Sequence, residues 1–517
     1  MKLRTIVKIA ITSSVVLLCS GFALYSFFRL SAAEGQKDFN LYELVPSTTS
    51  AVFVTDDVLE FVAEVDELTC SKNQQYLHVS KLFSYLKQSL YALSEDTPHG
   101  LSRQMNQMLI SFHEPDNERN QVLYCRLGNG DKELVNRFVR KYISSLYPPK
   151  TFIYKGEEII IYPMADGDFL ACYLTSDFMA LSFQKKLIEN VIDAYKSGKS
   201  LADDSTFTGI RAPKKSAAAA TIYTRMQGMM GWTEFDMKMK DDFIYFSGIT
   251  HDADTCFAFI NQLRQQQSVK GFPGEVLPST AFYFSRQGIT DWVSLLSYGN
   301  AQGQSVPART SEVQNRDKEF SRYLMENAGQ DLVACLFQRE DTLQGAAAVL
   351  SLSVADVTEA ERMLRALVNA ASADEGRRNP RITFCYTVNK AYPIYRLPQT
   401  TLFEQLTSFA EPTLDVYAAF YGGRLLLAPD ADALAHYIRQ LDKGEVLNGA
   451  MAYQTGMDHL SDSYHFMLMV DFDHIFQQSE NHVRFVPDFF LRNADFFRHF
   501  TLFVQFACAD GMVYPNI

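Results

Sequence analysis

The sequence predicts an α+β fold: two tandem related modules of antiparallel sheet with helices on one face, preceded by a single N-terminal transmembrane helix. Three observations predict it, namely an apolar run at the N-terminus, many short strand-like runs joined by hairpin-length turns, and an internal repeat. The predicted boundaries are 1–34 for a cytoplasmic stub and the membrane helix, 35–270 for the first exterior module, and 271–517 for the second.

The N-terminal segment is a basic stretch followed by an apolar run. Lys2, Arg4 and Lys8 come first. The run Ile9–Phe28 then contains no charged residue, and Arg29 follows it. A helix of about 20 such residues spans about 30 Å, the thickness of the hydrocarbon core of a bilayer. Because positive charges favour the inner side, we expect a cytoplasmic N-terminus and an extracytoplasmic bulk, which is periplasmic in a Gram-negative bacterium.

Three interpretations of this segment stay open. An uncleaved signal anchor fits the length of the run best, since a cleaved signal peptide has an apolar region of about 7–15 residues. A cleaved peptide would use Ala32 or Ala33 as the small residue before the cut. A lipoprotein signal ending at Cys19 fits least, because it is preceded by Leu18 rather than by a small residue.

The composition argues against nucleic-acid binding and against a framework of disulfides or zinc. The chain has 517 residues and a net charge of −12, whereas a nucleic-acid binder needs a basic surface. Its 8 cysteines are spread singly, many in apolar strand-like runs such as Val122–Cys125. We predict that they are small buried hydrophobic residues, because the paired spacing that zinc requires is absent.

The region after the N-terminal run contains an internal repeat. Val45-Pro46-Ser47 and Leu277-Pro278-Ser279 lie 232 residues apart, and each leads into an apolar strand-like run. At the same offset, Thr151-Phe152-Ile153-Tyr154 matches Thr383-Phe384-Cys385-Tyr386. Blocks that recur in the same order predict one module used twice.

A further matched block contains a strand, a helix and a glycine. Leu181–Leu201 matches Leu427–Leu447, and Gly198 and Gly444 stand where a left-handed residue commonly ends a helix. Ser197-Gly198-Lys199-Ser200 is also similar to half of a phosphate-binding loop, but that loop opens a helix, whereas this one closes it. We therefore predict a helix end here and no nucleotide site.

The pattern along the first module predicts the order of its elements. Helices are predicted at Val58–Leu68, Val79–Leu93 and Lys132–Leu146. Strands are predicted near residue 52 and at Met108–Phe112, Gln121–Leu127, Phe152–Tyr154, Glu158–Tyr162, Leu170–Tyr173, Met179–Ser182, Ala218–Arg225, Phe235–Lys240 and Phe243–Ile249. Exposed loops are predicted at Gly299–Lys318 and Ser372–Arg381.

Short motifs spread along the chain carry a resemblance to a known family. They are Val45-Pro46, Ser197–Leu201 followed by Asp204 and Phe207, Val486–Phe490, and Phe503–Phe506. Together with the N-terminal run, they make the chain resemble a family of membrane-anchored envelope proteins of Bacteroidetes that is known only as a domain of unknown function. The resemblance covers residues 1–517. It implies an extracytoplasmic, membrane-attached protein and supplies no catalytic residues.

Two groups of residues are candidates for chemistry. Asp471, Asp473 and His474 follow a strand and could present two oxygens and one nitrogen to a metal ion. The alternative is a solvated strand end at which Asp473 caps a helix. His113-Glu114 lies on a predicted hairpin tip, where exposure would not shift a pKa as catalysis requires. We assign no catalytic, cofactor-binding or metal residues, and we predict no cofactor and no bound transition metal.

An aromatic tract near the C-terminus is a candidate for ligand binding. Phe485–Phe506 contains 8 Phe residues and could line a groove for a lipid or a glycan. The alternative is that these side chains form part of a hydrophobic core, with Phe503 and Phe506 in a buried strand.

These observations favour a membrane-anchored envelope protein outside the cytoplasm that binds or scaffolds another component and is not an enzyme. One alternative is a carrier of lipid or another hydrophobic ligand, because aromatic residues are 13% of the chain. Another is a metal- or carboxylate-dependent enzyme that uses Asp471, Asp473 and His474. The predicted partners are the membrane, through the N-terminal helix, and an envelope protein, lipid or glycan; no nucleic acid is expected.

Overall fold

A computed structural model of the chain describes much of the sequence after residue 38. The described residues are 39–69, 103–114, 117, 119–128, 131–138, 147–164, 167–210, 218–225, 231–240, 242–250, 258–293, 295, 310–339, 345–374, 382–388, 390–407, 415–477 and 486–517. The chain divides into two compact units, the first formed by Met1–Leu59 with Ser80–Thr208 and the second by Glu60–Val79 with Gly209–Ile517. The predicted module boundaries at 35–270 and 271–517 rest on the repeat and stay a prediction.

The first unit contains an antiparallel sheet. Its described strands are β1 (Ala51–Thr55), β2 (Met108–Phe112), β3 (Gln121–Arg126), β4 (Lys150–Tyr154), β5 (Glu157–Pro163), β6 (Phe169–Leu174) and β7 (Phe178–Ser182). They pair in the order β1-β2-β3-β7-β6-β5-β4, and every pair is antiparallel. β4 is therefore the terminal strand of this order.

The second unit contains a longer antiparallel sheet. Its described strands are β8 (Ala220–Thr224), β9 (Thr233–Lys240), β10 (Phe243–Thr250), β11 (Val269–Lys270), β12 (Ala281–Gly288), β13 (Ala328–Gln338), β14 (Ala346–Val354), β15 (Ile382–Tyr386), β16 (Ala391–Pro398), β17 (Asp415–Tyr421), β18 (Arg424–Ala428), β19 (Ser463–Tyr464), β20 (Phe466–Asp471), β21 (Thr501–Ala509) and β22 (Met512–Asn516). They pair in the order β8-β9-β10-β22-β21-β20-β12-β13-β14-β18-β17-β16-β15. β11 and β19 form a separate two-stranded pair.

Helices connect these strands. The described α-helices are α1 (Val58–Glu67), α2 (Arg103–Asn106), α3 (Asp131–Phe138), α4 (Lys185–Ser197), α5 (Ser205–Ile210), α6 (Ala258–Gln265), α7 (Ser311–Asn327), α8 (Val357–Asp374), α9 (Leu402–Leu406), α10 (Ala431–Asp442), α11 (Met451–Met457), α12 (Phe472–Phe476), α13 (Asp488–Arg492) and α14 (Ala494–Phe497). Three short 3-10 helices lie at Leu41–Leu44, Pro273–Glu275 and Leu447–Gly449.

The strand order β1-β2-β3-β7-β6-β5-β4 of the first unit recurs in the second unit as β12-β13-β14-β18-β17-β16-β15. In both, a helix follows the fourth strand of the order, α4 after β7 and α10 after β18. Each of these helices ends next to a glycine in the left-handed region, Gly198 with φ 62° and Gly444 with φ 77°. The predicted helix ends at these glycines are confirmed.

The chain segment after each glycine is hydrogen-bonded to the segment that precedes β1 in the first unit and β12 in the second. In the first unit, the Leu201 amide donates to the Val45 carbonyl at 2.8 Å. In the second, the Leu447 amide donates to the Leu277 carbonyl at 2.9 Å. All four side chains are buried. Because Ser197–Ser200 closes α4 and then forms this bridge, it does not form a phosphate-binding loop.

The sheet of the second unit has a hydrophobic core on each face. Strand side chains alternate between the two faces, so β13 and β14 contribute to both cores. The α8-side core joins strand residues to α7, α8 and α9, and its members include Leu332, Ala334, Leu336, Leu350, Leu352, Phe320, Leu324, Ala360, Leu364, Val368 and Phe403. The α10-side core joins the alternate strand residues to α10 and α11, and its members include Val333, Cys335, Phe337, Ala347, Val349, Leu434, Tyr437, Ile438 and Tyr453.

The predicted fold class is wrong in the placement of its helices, although antiparallel sheets with helices are present. Helices cover both faces of the second unit's sheet rather than one, because its central strands are apolar on both faces. Among the described residues, no helix is both long and apolar enough to cross a membrane. The segment 1–34, for which a membrane helix was predicted, lies outside the described residues.

Several element predictions are confirmed, and each of two predicted loops is wrong at one end. The strands β9 and β10 lie where Phe235–Lys240 and Phe243–Ile249 were predicted. The predicted loop Gly299–Lys318 is wrong over its last residues, because α7 begins at Ser311 with the Thr310 side chain accepting from the Val313 amide. The predicted loop Ser372–Arg381 is wrong over its first three residues, because α8 continues to Asp374. The predicted helix Val79–Leu93 lies outside the described residues.

We predict that Gly444→Ala destabilises the protein by about 1–2 kcal/mol, because an L-residue with a Cβ is disfavoured in the left-handed region. Gly449→Ala is a matched control, since no atom lies within 4 Å of a Cβ at either glycine and only Gly444 has a positive φ. Urea unfolding of the two variants measures the difference. Equal stability of the two variants would contradict the role of Gly444 in ending α10.

Candidate functional site

A small cleft lies beside the end of β20 in the second unit. Its volume is about 140 Å³, and the start of β12, α11 and β21 complete its walls. Asp471, His474 and Thr501 contribute polar groups, and Phe282 and Tyr453 contribute aromatic rings. Sites for drug-sized ligands usually have volumes of about 300–1,000 Å³. The cleft is therefore too small to enclose a lipid chain.

Asp471 and His474 form a pair in this cleft. One Asp471 oxygen lies 2.9 Å from His474 Nδ1. The other accepts from the backbone amides of Asp473 at 3.0 Å and His474 at 3.3 Å, which makes Asp471 the N-cap of α12. The His474 ring stacks on Phe282 with 6.1 Å between centroids. One carboxylate oxygen thus caps the start of the helix, and the other orients the imidazole.

The third predicted residue does not join this pair. Asp473 is exposed and does not line the cleft. The cap of α12 is Asp471, so the predicted capping role of Asp473 is wrong by two residues. Within the described ranges, no group of three or more His, Cys, Asp or Glu side chains could hold a metal ion. The convergence that an enzyme using Asp471, Asp473 and His474 would need is therefore not found.

Part of the aromatic tract packs against the α8-side core, whereas Phe503 packs against the α10-side core. The Phe472 ring lies 4.9 Å from Phe490 and 5.6 Å from Phe497, measured between centroids. Phe490 and Phe497 are themselves 4.8 Å apart. Phe490 on α13 and Phe497 on α14 are half-buried and pack against the α8-side core. Phe485 lies outside the described residues.

The first unit contains a polar cluster that was not predicted from the sequence. The Ser111 hydroxyl lies 3.0 Å from His113 Nε2 and 3.1 Å from the Tyr124 hydroxyl. Ser111 and Tyr124 are fully buried. Burial lowers the pKa of His113 to about 4, so the ring is neutral and its nitrogen can accept from Ser111. The prediction of a solvated turn is thus wrong at His113. Side chains alternate along a strand, so His113, the residue directly after β2, lies on the same face as Ser111.

A buried group of charges crosses the sheet of the second unit. Asp331 on β13 lies between Arg286 on β12, at 3.1 Å, and Arg424 on β18, at 3.3 Å. Arg424 also donates to the Ser351 hydroxyl at 2.6 Å, and Arg286 to the Tyr464 hydroxyl at 3.2 Å. Burial acts to raise the pKa of Asp331, but the two arginines hold it below its usual value. A lone Arg in each strand-like run was the only sequence signal for this group.

A second buried carboxylate, Asp317, also has all of its described hydrogen bonds within the protein. Asp317 on α7 accepts from the Thr400 hydroxyl at 2.8 Å and from both the amide and the hydroxyl of Thr401, at 2.8 and 2.7 Å. Gln405 adds a bond at 3.2 Å. The carboxylate therefore ties α7 to the start of α9 and has no oxygen left for a substrate.

Four of the described cysteines are buried, as the sequence predicted. They are Cys125, Cys172, Cys335 and Cys385, whereas Cys508 is half-buried. Burial raises the pKa of Cys125 and Cys172 to about 12, which keeps these thiols protonated and unreactive. Cys19, Cys70 and Cys256 lie outside the described residues.

Comparisons of the chain with protein-family models, with curated proteins and with solved structures found no match. The resemblance to a family of envelope proteins stays a prediction.

We predict that His113 makes the folded protein less stable in mild acid. Its pKa is about 4 when folded and about 6.5 when unfolded, so between these values the unfolded chain binds a proton that the folded chain does not. Stability should fall by up to about 1.4 kcal/mol per pH unit as the pH drops from about 6.5 to about 4, and His113→Gln should lack this component. Urea unfolding across this range measures the slope. Identical slopes in the two proteins would contradict the burial of a neutral ring.

Proposed function

We propose that the protein acts by binding or scaffolding another component of the cell envelope, outside the cytoplasm, and does not catalyse a reaction. The observation that carries the proposal is the exposure of apolar side chains on the terminal strand of each unit. On β4, Ile153 is 71% exposed; on β15, Phe384 is 52% and Tyr386 70% exposed. Clustered apolar residues left in contact with water commonly mark interaction surfaces.

The use of the polar groups supports this proposal. Asp471 caps a helix, Asp317 ties two helices, and Asp331 forms ion pairs with two arginines within the sheet. In the Ser111–His113 pair the serine is fully buried, so a substrate could not reach its hydroxyl without opening the sheet. Catalysis needs an acid, base or nucleophile that contacts a substrate. In each described cluster, the groups of that kind instead bond to the protein itself.

The proposed location and partners rest on the sequence. Lys2, Arg4 and Lys8 ahead of an apolar run are typical of export across a membrane. The net charge of −12 disfavours a nucleic-acid partner, since phosphates would repel it. An envelope protein, a lipid or a glycan stays the proposed class of partner, and an apolar strand edge fits a protein segment best among these.

A photo-crosslinking residue at Ile153 or Tyr386 of the full-length protein should give discrete crosslinked species in intact cells. The same residue at Met451, which is 81% exposed on α11, is the matched control and should give none. Gel shifts followed by mass spectrometry measure the products. The proposal fails if the two strand positions yield no product, or if Met451 yields the same products.

A further inference from the structure

Strand β15 is an edge strand without the usual protection. It pairs with β16 on one side, and in the described part of the chain no strand pairs with its other side. Natural edge strands are commonly protected by charged residues, proline or a bulge. β15 reads Ile-Thr-Phe-Cys-Tyr, and its pairing with β16 has no register shift. It therefore keeps a regular row of backbone donors and acceptors on its outer side.

The aromatic residues of β15 lie on the uncovered face of that edge. The Cys385 thiol contacts the Ala435 carbonyl of α10 at 3.5 Å, so Cys385 faces α10. Because side chains alternate along a strand, Ile382, Phe384 and Tyr386 share the opposite face. The rings of Phe384 and Tyr386 lie 6.3 Å apart, measured between centroids. These three residues form an exposed stripe, here called the β15 stripe.

The corresponding edge of the first unit is better protected. The Tyr154 hydroxyl on β4 donates to Asp193 of α4 at 3.1 Å, and the Lys185 ammonium lies 5.1 Å from the centre of the Phe152 ring. The aromatic residues of β4 therefore face its helix, whereas those of β15 face away from α10. The match of Thr151–Tyr154 to Thr383–Tyr386 thus holds in sequence but not in orientation, since a shift of one residue reverses every side chain.

We propose that β15 pairs antiparallel with β15 of a second copy of this chain, about a two-fold axis at Phe384. This proposal rests on the proposed binding function and names its partner. In such a pair Phe384 faces Phe384 of the second copy, and Ile382 faces Tyr386 at each end. The strand carries no charge that would oppose a like charge. The β15 stripe is thus self-complementary, as an interface with two-fold symmetry requires.

Within the chain, two runs of strands are already joined by antiparallel pairing of their last strands. β8-β9-β10 and β20-β21-β22 are each a run of three antiparallel strands. Their last strands, β10 and β22, pair antiparallel with each other, with Ser247 opposite Asn516 and Thr250 opposite Val513. The Phe246 and Ile517 backbones exchange two bonds of 2.8 Å. Pairing β15 across a two-fold axis would join two copies by the same kind of antiparallel contact.

The pairing should be weak. One strand pair and a short apolar stripe bury much less than the roughly 1,600 Å² of a standard interface, so we expect a dissociation constant of about 1–100 µM. A chain held at a membrane would meet its partner at a high local concentration, which compensates for a small interface.

Sedimentation equilibrium of the full-length protein tests the proposal. The wild type should dimerise reversibly, and Phe384→Lys should weaken dimerisation at least about tenfold, because two like charges would meet at the axis. Met451→Lys changes an even more exposed apolar residue elsewhere, 81% against 52% for Phe384, and should leave dimerisation unchanged. Phe384→Cys should form a disulfide-linked dimer under oxidation faster than Met451→Cys does. Unchanged melting of each variant shows that the fold is intact.

The proposal is overturned if the wild type stays monomeric up to about 100 µM, a concentration at which a weak specific interface is populated. It is also overturned if Phe384→Lys dimerises as tightly as the wild type, or if the two cysteine variants crosslink equally. A monomeric protein whose Tyr386 position still crosslinks to a different protein would reject self-pairing and leave the binding function standing. Loss of both results would reject both proposals.

Discussion

Strands β13 and β14 have a hydrophobic core packed against each of their faces, so their sheet must be covered by helices on both sides. Leu350 and Val349, neighbours in β14, are both fully buried yet belong to opposite cores. α8 packs against one face of the sheet, and α10 packs against the other. Each buried apolar side chain contributes about 1.5–3 kcal/mol, which makes these two strands the centre of the unit's stability.

Burial on both faces also determines what the polar residues do. A carboxylate inside such a structure must be paired, because an unpaired buried charge costs several kcal/mol. Asp331 and Asp317 meet this requirement with arginine, hydroxyl and amide partners. These two carboxylates therefore stabilise the sheet and its helices. The surface proposed for binding is the margin of the sheet, where Phe384 and Tyr386 of β15 are exposed.

Local features of the sequence predicted local features of the fold. Gly198 and Gly444 end their helices, and the strands β9 and β10 lie where alternation and turns suggested. Thr310 was missed as the start of α7, because the helix begins in a polar stretch whose apolar residues are widely spaced. The choice between Asp471 and Asp473 as a cap depended on a strand end, which sequence patterns locate only to within a few residues.

Features that depend on tertiary contacts could not be predicted from the pattern. The continuous apolar runs of β13 and β14 were compatible with burial on both faces, but a run of that kind does not say where the covering helices lie. The aromatic residues of β15 and β4 lie on different faces of their strands. This difference depends on a register shift of one residue, which the alignment of the two motifs does not reveal. The Ser111–His113 cluster joins β2 to the residue that directly follows it, and only the fold shows that Ser111 is fully buried.

Native-state hydrogen exchange at low protein concentration tests most directly whether β13 and β14 form the stable centre and β15 an open edge. The amides of β13 and β14 should be the slowest and should exchange only through global unfolding. The outward amides of β15 should exchange at least about 100-fold faster, since water reaches them without unfolding of the sheet. Protection of β15 equal to that of β14 would contradict an open edge, and rapid exchange in β14 would contradict a sheet built on its doubly buried strands.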